Sequence, residues 1–342
     1  MINLGIIGWR GLVGSVLINR IKNSFIYKYC NIYLFSTNKI IIKNDINDAY
    51  NIKLLKNMNI IICCQGSNFT KKILKKIKNI YWKGYWIDAS SFLRMNNECS
   101  LILDLLNKDD LIKKIKYIKF FSGANCTVSL ALILLKNLLK LNLIEWISTS
   151  SYQAISGAGS KLVTKLLNNI NLSYNLENNL LKIEKNINFF FKKNNPILYN
   201  AIPWIDKKVN FSQTKEEWKS SSEASKILNK KIIIDSNCVR IASLRCHSQY
   251  FLIKFNKNIN INNIYEIIHH KFVYIVKNNE KNSNLILTPY NVSGKLKIFV
   301  GRIKKSLINN KIFTMFSIGD QLLWGAAEPI KRFLEILISN IL

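Results

Sequence analysis

The chain of 342 residues is 49% hydrophobic and 20% charged, a composition that suits a globular protein of two domains and excludes a disordered one. Fifty lysines and arginines against twenty acidic residues give a net charge of +30, so nucleic-acid binding has to be considered. The excess is mostly lysine, however, and it is spread along the chain with abundant asparagine and isoleucine, which is typical of compositional drift towards A/T-rich codons. We therefore predict no nucleic-acid partner, although the basic field would still attract an anionic small-molecule substrate.

Cysteine and histidine usage indicates a reducing, cytoplasmic environment. The seven cysteines form no C-x-x-C pair and no regular pattern, as expected of reduced thiols. Only three histidines occur, and His269-His270 has no cysteine nearby, so we predict no metal site. Glycines interrupt the N-terminal apolar run, and no apolar stretch reaches the roughly 18 residues of a membrane span, so we predict neither a signal peptide nor a membrane segment.

The N-terminal residues have the pattern of a dinucleotide-binding unit. A short apolar strand over Asn3–Gly8 leads into a glycine-rich turn, Gly8–Gly14, and helical spacing follows from Ser15 to Ile21. Glycines let the backbone approach a pyrophosphate, and the helix N-terminus supplies N–H donors. The spacing is G-x-x-G-x-x-G rather than G-x-G-x-x-G, so a turn that serves only packing remains an alternative.

The second strand indicates which dinucleotide would bind. Asn31–Phe35 ends at Ser36-Thr37-Asn38, about twenty residues beyond the last glycine, where an NAD enzyme carries an acid for the ribose 2′-hydroxyl. No acid is present here. Two hydroxyls, an amide and the nearby Arg10 could instead bind a 2′-phosphate, so we predict NADP.

Further apolar strands over Ile60–Cys64 and Tyr85–Ile87 alternate with lysine-rich helical segments, which predicts an α/β domain with a Rossmann-type, doubly wound parallel sheet. Gln65 follows the first of these strands on the side where ligands bind in such sheets. Arg94 follows the second. Its planar fork suits a phosphate or a carboxylate, although an arginine after a strand can also be simply solvated.

Cys126 is placed where a nucleophile would be expected. It lies between a strand-like run, Ile115–Phe121, and a helix-like run, Leu130–Leu139. Free N–H groups and the helix dipole at such a position favour a thiolate, which predicts a lowered pKa. The alternative is a small buried core residue, as most free cysteines are.

The middle of the chain carries a small-residue loop and a charged helix start. The loop over 152–159 follows the strand Glu145–Ser151 and can pass close to a ligand. Thr214–Glu217 reads as a capping box, after which Glu216 and Lys219 share one helical face. They form either a surface ion pair or a pair that binds a zwitterionic or phosphorylated ligand. The Asn-rich residues 168–200 are predicted to be loop plus short helix.

A second polar segment contains His247, the only histidine among arginines and small residues. A cysteine and a histidine distant in sequence that meet in a cleft form a thiol nucleophile with its acid/base partner. In a regular strand Arg240 and His247 would face opposite sides. Either the strand breaks near Ala242-Ser243, or Arg245 joins His247 instead. The closing segment leads into an amphipathic helix that could pack on the first domain.

Six short motifs follow one another along nearly the whole chain: Gly5-x-x-Gly8-Trp9-Arg10-Gly11-x-Val13-Gly14, Asn125-Cys126-Thr127, Tyr152-Gln153-Ala154, Glu216-Glu217-Trp218-Lys219, Arg245-Cys246-His247-Ser248 and Gly319-Asp320-Gln321-Leu322. Several are weak singly, but together they are highly specific. With them the chain resembles the bacterial aspartate-β-semialdehyde dehydrogenase family. Two departures occur: Asn38 replaces a usual hydroxyl residue, and Ala124 stands where glycine is common.

The resemblance implies NADPH-dependent reductive dephosphorylation of L-aspartyl-4-phosphate to L-aspartate-4-semialdehyde, on the route to lysine, methionine, threonine and diaminopimelate. It implies a homodimer, a cofactor domain over 1–125 and 319–342, and an α+β catalytic and dimerisation domain with a mixed sheet over 126–318. It selects Arg240 over Arg245 and so predicts a break in that strand.

The resemblance also implies roles for individual residues. Cys126 would attack the acyl carbon, and His247 would be the general acid/base. The substrate would contact Gln153, Glu216 and Arg240, its phosphate would contact Arg94, Asn125 and Lys219, and the cofactor would contact Gly8, Arg10, Gly11, Leu12, Val13, Thr37, Asn38, Gln65, Ser156, Gly157 and Gln321.

Two alternatives stand beside this interpretation. An N-acetyl-γ-glutamyl-phosphate reductase resembles this family in fold and in thiol–histidine chemistry, but its acylated substrate would not need a carboxylate for an ammonium group, so Glu216 favours the aspartyl substrate. A basic nucleic-acid-binding protein with an inactive dehydrogenase fold would have lost its site residues and would cluster its lysines on one face. In this chain the site residues are present and the lysines are spread along the sequence.

Overall fold

The computed structural model describes residues 1–38, 46–173, 181–182, 184–185, 197–210 and 212–341. The helix Ser160–Ser173 covers the start of the Asn-rich stretch for which loop and short helix are predicted. Most of that stretch beyond residue 173 lies outside the described residues.

The first half of the chain forms a seven-stranded parallel sheet in the order β3-β2-β1-β4-β5-β7-β6, so the predicted doubly wound sheet is confirmed. Its strands are β1 Ile2–Ile7, β2 Cys30–Ser36, β3 Ile46–Asp48, β4 Ile60–Cys63, β5 Tyr85–Asp88, β6 Cys99–Ile102 and β7 Phe120–Gly123. The helices that connect them are α1 Leu12–Lys22, α2 Ile52–Lys56, α3 Ser67–Asn79 and α4 Asp104–Ile115.

Helices cover both faces of this sheet, and its central strands are therefore apolar on both sides. All four residues of β4 are buried. Helix α3 turns Phe69, Ile73 and Ile77 inward, while most of its lysines face outward. Because the chain proceeds from β1 in one direction to β2 and β3 and in the other to β4 and β5, the carboxyl ends of β1, β2 and β4 open a crevice at this switch point.

The second half forms the predicted mixed sheet, and its strands lie in the order β12-β13-β14-β11-β8-β10-β9. Strand β8 is central and pairs parallel with β10 and antiparallel with β11. The strands are β8 Ile144–Gln153, β9 Ala201–Ile202, β10 Ile234–Ile241, β11 His247–Phe255, β12 Val273–Ile275, β13 Ile298–Lys305 and β14 Ile312–Gly319. The further helices are α5 Cys126–Lys140, α6 Ser160–Ser173, α7 Lys215–Leu228, α8 Ile261–Ile268, α9 Glu280–Leu285, α10 Pro289–Val292 and α11 Glu328–Ile341.

The two faces of the mixed sheet differ in their environment. Phe251 and Ile253 of β11 are fully buried in a core that also includes the apolar residues of α5. The opposite face carries aromatic side chains that remain partly open to solvent, since Tyr152 is 37% and Tyr250 38% exposed. Phe316 lies on the same face, with its ring centroid 6.4 Å from that of Tyr152. One face is thus covered within the chain, and the other presents a half-exposed aromatic patch.

The C-terminal helix α11 returns to the first domain, which confirms the expectation for the closing segment. A short π-helix, Leu323–Ala327, precedes it. Phe333 packs on Phe121 of β7 with ring centroids 4.4 Å apart, and Arg332 forms a forked ion pair with Asp104 at the start of α4. Within the part of the chain that the structure describes, no helix has both the length and the apolar character needed to cross a bilayer.

Two strand predictions have different outcomes. The strand expected over Ile115–Phe121 begins only at Phe120, because Ile115 is the last residue of α4 and is buried on the apolar side of that helix. The predicted break after Arg240 is confirmed: β10 ends at Ile241 and β11 begins at His247. Cys246 has a left-handed φ of 72° in the turn between them.

Candidate active site

The candidate nucleophile is the first residue of α5, directly after β7. Asn125 is the N-cap of this helix, and its side-chain Oδ1 accepts the backbone N–H of Thr127 at 2.9 Å and that of Val128 at 3.4 Å. Cys126 Sγ lies 3.2 Å from Nε2 of His247. The structure therefore brings together a cysteine and a histidine that are 121 residues apart in sequence.

His247 is completely buried, and a backbone group fixes its ring. The N–H of Ala154 donates to Nδ1 at 3.0 Å. Because Nδ1 is an acceptor, the proton of the neutral imidazole is on Nε2, which faces the sulfur. A Cβ at Gly157 would lie 3.0 Å from Cε1 and 3.1 Å from Nε2 of the same ring, so this position leaves little room for a side chain.

The predicted lowering of the Cys126 pKa is wrong for the ligand-free protein. Burial, and then the negative charge of Glu216, raise the pKa of the thiol to about 11, although three nearby cations oppose this. Two of the helix N–H groups, those of Thr127 and Val128, are already bound to Oδ1 of Asn125. Burial and the positive charge of Arg240 lower the pKa of His247 to about 3. The ligand-free pair is therefore a neutral thiol and a neutral imidazole.

The break between β10 and β11 decides which arginine lies beside His247. Arg240 Nη1 donates to the carbonyl oxygen of Ala154 at 2.8 Å, next to the peptide that holds the histidine. Arg245 instead pairs with Asp320, with Nε 2.8 Å from Oδ2. The structure thus places Arg240, and not Arg245, at the histidine.

A buried ion pair occupies the next part of the site. Glu216 Oε2 lies 2.9 Å from Lys219 Nζ, and Oε1 accepts from Asn125 Nδ2 at 2.9 Å and from Gln153 Nε2 at 3.2 Å. Burial disfavours the charged carboxylate, but Lys219 and the two amides outweigh it and lower the pKa of Glu216 to about 2. Because Glu216 and Lys219 are each only 6% exposed, the interpretation as a surface ion pair is wrong.

Arg94 contributes to the same site from the first domain. Its Nη1 lies 3.2 Å from Oε1 of Glu223, and its side chain is mostly buried. Among the described residues, Nε of Arg94 has no hydrogen-bond partner. On the other side of the site, Lys219 Nζ also contacts Asp206 at 2.9 Å. The guanidinium of Arg94 therefore keeps one buried donor without a partner among the described residues, which suits an anionic ligand.

A cleft of about 470 Å³ opens at the switch point of the parallel sheet. Nine of the eleven predicted cofactor residues line it: Gly8, Arg10, Gly11, Leu12, Val13, Thr37, Gln65, Ser156 and Gly157. Asn38 lies at its edge, where its backbone N–H donates to Ser36 Oγ at 3.0 Å. Gln321 lies behind the cleft, because it is buried and hydrogen-bonded to Ser156 Oγ and to the backbone N–H of Cys246.

The cleft fits a phosphorylated dinucleotide. Gly8 has a φ of 76°, and a Cβ there would lie 2.8 Å from the backbone of Cys64 and Gln65, so the turn requires glycine. No acidic side chain is among the described residues that line the cleft. Arg10 Nη2 reaches Ser36 Oγ at 3.4 Å, which places two hydrogen-bond donors at the end of β2 where a ribose 2′-phosphate would lie.

Sequence reasoning missed several contributors. Trp9 and Ser160 also line the cleft, and Gly325 packs so closely on Cys126 that a Cβ would lie 2.6 Å from the cysteine Cβ. Glu223 could have been found, since it lies seven residues after Glu216 on the same helical face. The N–H of Ala154 acts through the backbone and has no signature in the residue type.

A thiol in contact with a histidine, beside a glycine-lined cleft for a dinucleotide, is the arrangement of a nicotinamide-dependent dehydrogenase. The chain belongs to the semialdehyde dehydrogenase family: the NAD binding domain of that family matches residues 3–114, and its dimerisation domain matches residues 135–324. The resemblance based on the sequence motifs is therefore confirmed.

Solved structures of related enzymes agree with this assignment. Aspartate semialdehyde dehydrogenase from Francisella tularensis is 40% identical, with 99% of this chain and 100% of that chain covered and a TM-score of 0.94. Aspartate semialdehyde dehydrogenase II complexed with ASA from Vibrio cholerae is 19% identical over 100% and 99% of the two chains, with a TM-score of 0.82. The enzyme with NADP from Candida albicans is 14% identical over the same shares, with a TM-score of 0.69. The last two show a shared fold.

The neutral state of Cys126 predicts a steep pH dependence of its alkylation. The rate of reaction with iodoacetamide should rise about tenfold per pH unit between about pH 7 and pH 10, because the thiolate fraction grows tenfold per unit below a pKa of about 11. Time-resolved mass spectrometry of the peptide that contains Cys126 measures this rate. A plateau that begins near neutral pH would show that the thiolate is already populated and would contradict the assignment.

Proposed function

We propose that this protein reduces L-aspartyl-4-phosphate to L-aspartate-4-semialdehyde with NADPH and releases phosphate, in the biosynthesis of lysine, methionine, threonine and diaminopimelate. The observation that carries the proposal is the 3.2 Å contact between Cys126 Sγ and His247 Nε2 beside a buried set of carboxylates and cations. Membership of the semialdehyde dehydrogenase family and the 40% identity to the Francisella tularensis enzyme support it.

Each charged group of the substrate has a counterpart in the site. Arg240 would bind the α-carboxylate and Glu216 the ammonium group, while Gln153 would orient the acyl carbon. Gln153 and Glu216 are already joined by a 3.2 Å hydrogen bond. An N-acetylated substrate has no ammonium group to offer, so the buried charge of Glu216 supports the aspartyl substrate.

The phosphate would bind on the other side of Cys126. Arg94 would contribute its open guanidinium donors, Lys219 its ammonium group and Asn125 its amide. The positive charges of Arg94, Arg240 and Lys219 all act on the Cys126 thiol and oppose the rise of its pKa. These cations would stabilise both the departing phosphate and the sulfur anion as its proton leaves.

The reaction would proceed through a thioester on Cys126. The sulfur attacks the acyl carbon and a C–S bond forms, the bond from that carbon to the phosphate oxygen breaks, and the thiol proton leaves with the departing phosphate. Because Nδ1 accepts the N–H of Ala154, the proton of His247 is on Nε2. His247 would first donate this proton to the oxygen on the acyl carbon and would then act as a base, taking a proton back from that oxygen as the C–S bond breaks and the aldehyde is released. Its N–H would stabilise first the sulfur and then the oxygen of the tetrahedral species. Bound NADPH supplies the hydride that reduces the thioester.

NADPH would bind in the cleft at the switch point. The turn from Gly8 to Val13 and the start of α1 would hold the pyrophosphate. Arg10, Thr37 and Asn38 would bind the ribose 2′-phosphate, together with the Ser36 hydroxyl that Arg10 already contacts. Gln65, Ser156 and Gly157 would line the rest of the cofactor, with Gln321 supporting Ser156 through a hydrogen bond.

We also propose the division into a cofactor domain over 1–125 and 319–342 and a catalytic and dimerisation domain over 126–318. The half-exposed aromatic face of the mixed sheet, with Tyr152, Tyr250 and Phe316, would be covered by a second copy of the chain. The family's dimerisation domain includes these strands. A cytoplasmic location stays a prediction from cysteine usage.

The decisive experiment is the reverse reaction. Purified protein supplied with aspartate semialdehyde and NADP should produce NADPH, measured by absorbance, only when inorganic phosphate is present. N-acetylglutamate semialdehyde should give no comparable rate. No reaction from a protein shown to be folded by circular dichroism would contradict the proposed function.

Two substitutions test the assigned chemistry. Cys126→Ala should abolish turnover while NADPH binding, followed by fluorescence, survives, because the sulfur forms the covalent bond to the substrate. His247→Asn should lower kcat by about 10² to 10⁴, the usual contribution of a general acid/base. Cys30→Ala, at the start of β2, is the matched control and should retain activity. Turnover in Cys126→Ala, or a loss below tenfold in His247→Asn, would remove that residue from the mechanism.

The proposed dimer predicts a mass of twice 39.6 kDa in sedimentation equilibrium. Tyr250→Lys should shift the protein towards the monomer, because it places a charge in the centre of the aromatic face. Tyr81→Lys is the control, since Tyr81 is 88% exposed and follows α3 in the first domain. A Tyr250→Lys protein that stays fully dimeric would place the interface elsewhere.

A further inference from the structure

Glu223 is a buried carboxylate that none of the roles above uses. It lies on the face of α7 that also carries Glu216 and Lys219, and it is 1% exposed. A carboxylate at such a site is tolerated only when its oxygens are bound by donors or cations.

Each oxygen of Glu223 contacts a different part of the site. Oε2 accepts the backbone N–H of Asn125 at 2.6 Å, directly before Cys126. Oε1 pairs with Nη1 of Arg94 at 3.2 Å. One side chain therefore connects the start of the nucleophile's helix with the arginine that comes from the first domain.

We propose that Glu223 is a positioning residue that holds Arg94 for the phosphate and fixes the peptide before Cys126. This inference rests on the proposed function, because it takes Arg94 as part of the phosphate site. Glu223 occupies Nη1 of the guanidinium, while the buried Nε has no partner among the described residues and is a donor that an anion could use.

A second contact from α7 supports this arrangement. Lys226 Nζ donates to the carbonyl oxygen of Arg94 at 2.7 Å and to that of Asn96 at 2.7 Å. Helix α7 therefore holds Arg94 at its backbone through Lys226 and at its guanidinium through Glu223. An arginine held at both ends loses little conformational freedom when the phosphate binds.

Only a carboxylate can serve both partners of Glu223. A glutamine has one acceptor oxygen, so if this oxygen binds the N–H of Asn125, its amide hydrogens face the N–H groups of Arg94. Because the site is buried, water does not replace the lost contact. An aspartate keeps the charge but is one methylene shorter, so it reaches both partners less well.

The test measures phosphate binding in Glu223→Gln. In the reverse reaction the KM for inorganic phosphate should rise about tenfold, while the KM for NADP stays within about twofold of the wild type. Glu223→Asp should raise the KM for phosphate in the same direction by a smaller factor, and it serves if the glutamine variant does not fold.

Glu217→Gln is the matched control. Glu217 is on the same helix and also accepts a backbone N–H, that of Thr214 at 2.7 Å, but it has no ion pair with Arg94. Its replacement should leave the KM for phosphate unchanged. In an Arg94→Lys background, Glu223→Gln should add little further loss, because the two residues act as one unit.

A readout without turnover separates this inference from the proposed function. Inorganic phosphate should slow the alkylation of Cys126 by iodoacetamide, and the concentration needed for half protection should rise about tenfold in Glu223→Gln. If the wild type is active and a folded Glu223→Gln has the same phosphate constants as the wild type, the role of Glu223 is overturned. Fully additive losses of Glu223→Gln and Arg94→Lys would overturn it as well. An inactive wild type would overturn the proposed function, and the protection constants would then decide on Glu223 alone.

Discussion

The buried charge of Glu216 is the interaction on which the rest of the site depends. Its carboxylate binds Lys219 within α7, Asn125 at the start of α5 and Gln153 at the end of β8. Burying this carboxylate without partners would destabilise the fold by roughly several kcal/mol. The surrounding donors are therefore needed for the fold as well as for any ligand. The start of α5, which carries Cys126, is thereby linked to the charge of Glu216.

Cationic and anionic side chains nearly balance around Cys126. Arg94, Arg240 and Lys219 are near Glu216 and Glu223, and Lys219 also contacts Asp206. A phosphate therefore meets directed N–H donors, and the site itself has little net positive charge. The net charge of +30 belongs to the molecule as a whole, and the described residues around Cys126 carry no comparable excess of positive charge.

Local patterns predicted the fold well, because strands, glycine turns and helix caps depend on neighbouring residues. The capping box at Thr214 and the alternation of the first sheet are of this kind. The predictions that were wrong concern properties that depend on tertiary contacts. The pKa of Cys126 follows from burial and from the negative charge of Glu216, and the burial of Lys219 follows from packing. From spacing alone the choice between Arg240 and Arg245 stayed open, since it depends on the turn over 242–246.

The raised pKa of Cys126 has a consequence for the lifetime of the enzyme. Peroxide and other cellular oxidants react with thiolates, and at neutral pH a thiol with a pKa of about 11 is ionised in only about one molecule in ten thousand. Between catalytic cycles the sulfur is therefore shielded from conversion to sulfenic acid by its own protonation. The same burial that keeps the Cys126 thiol protonated protects its sulfur from oxidation.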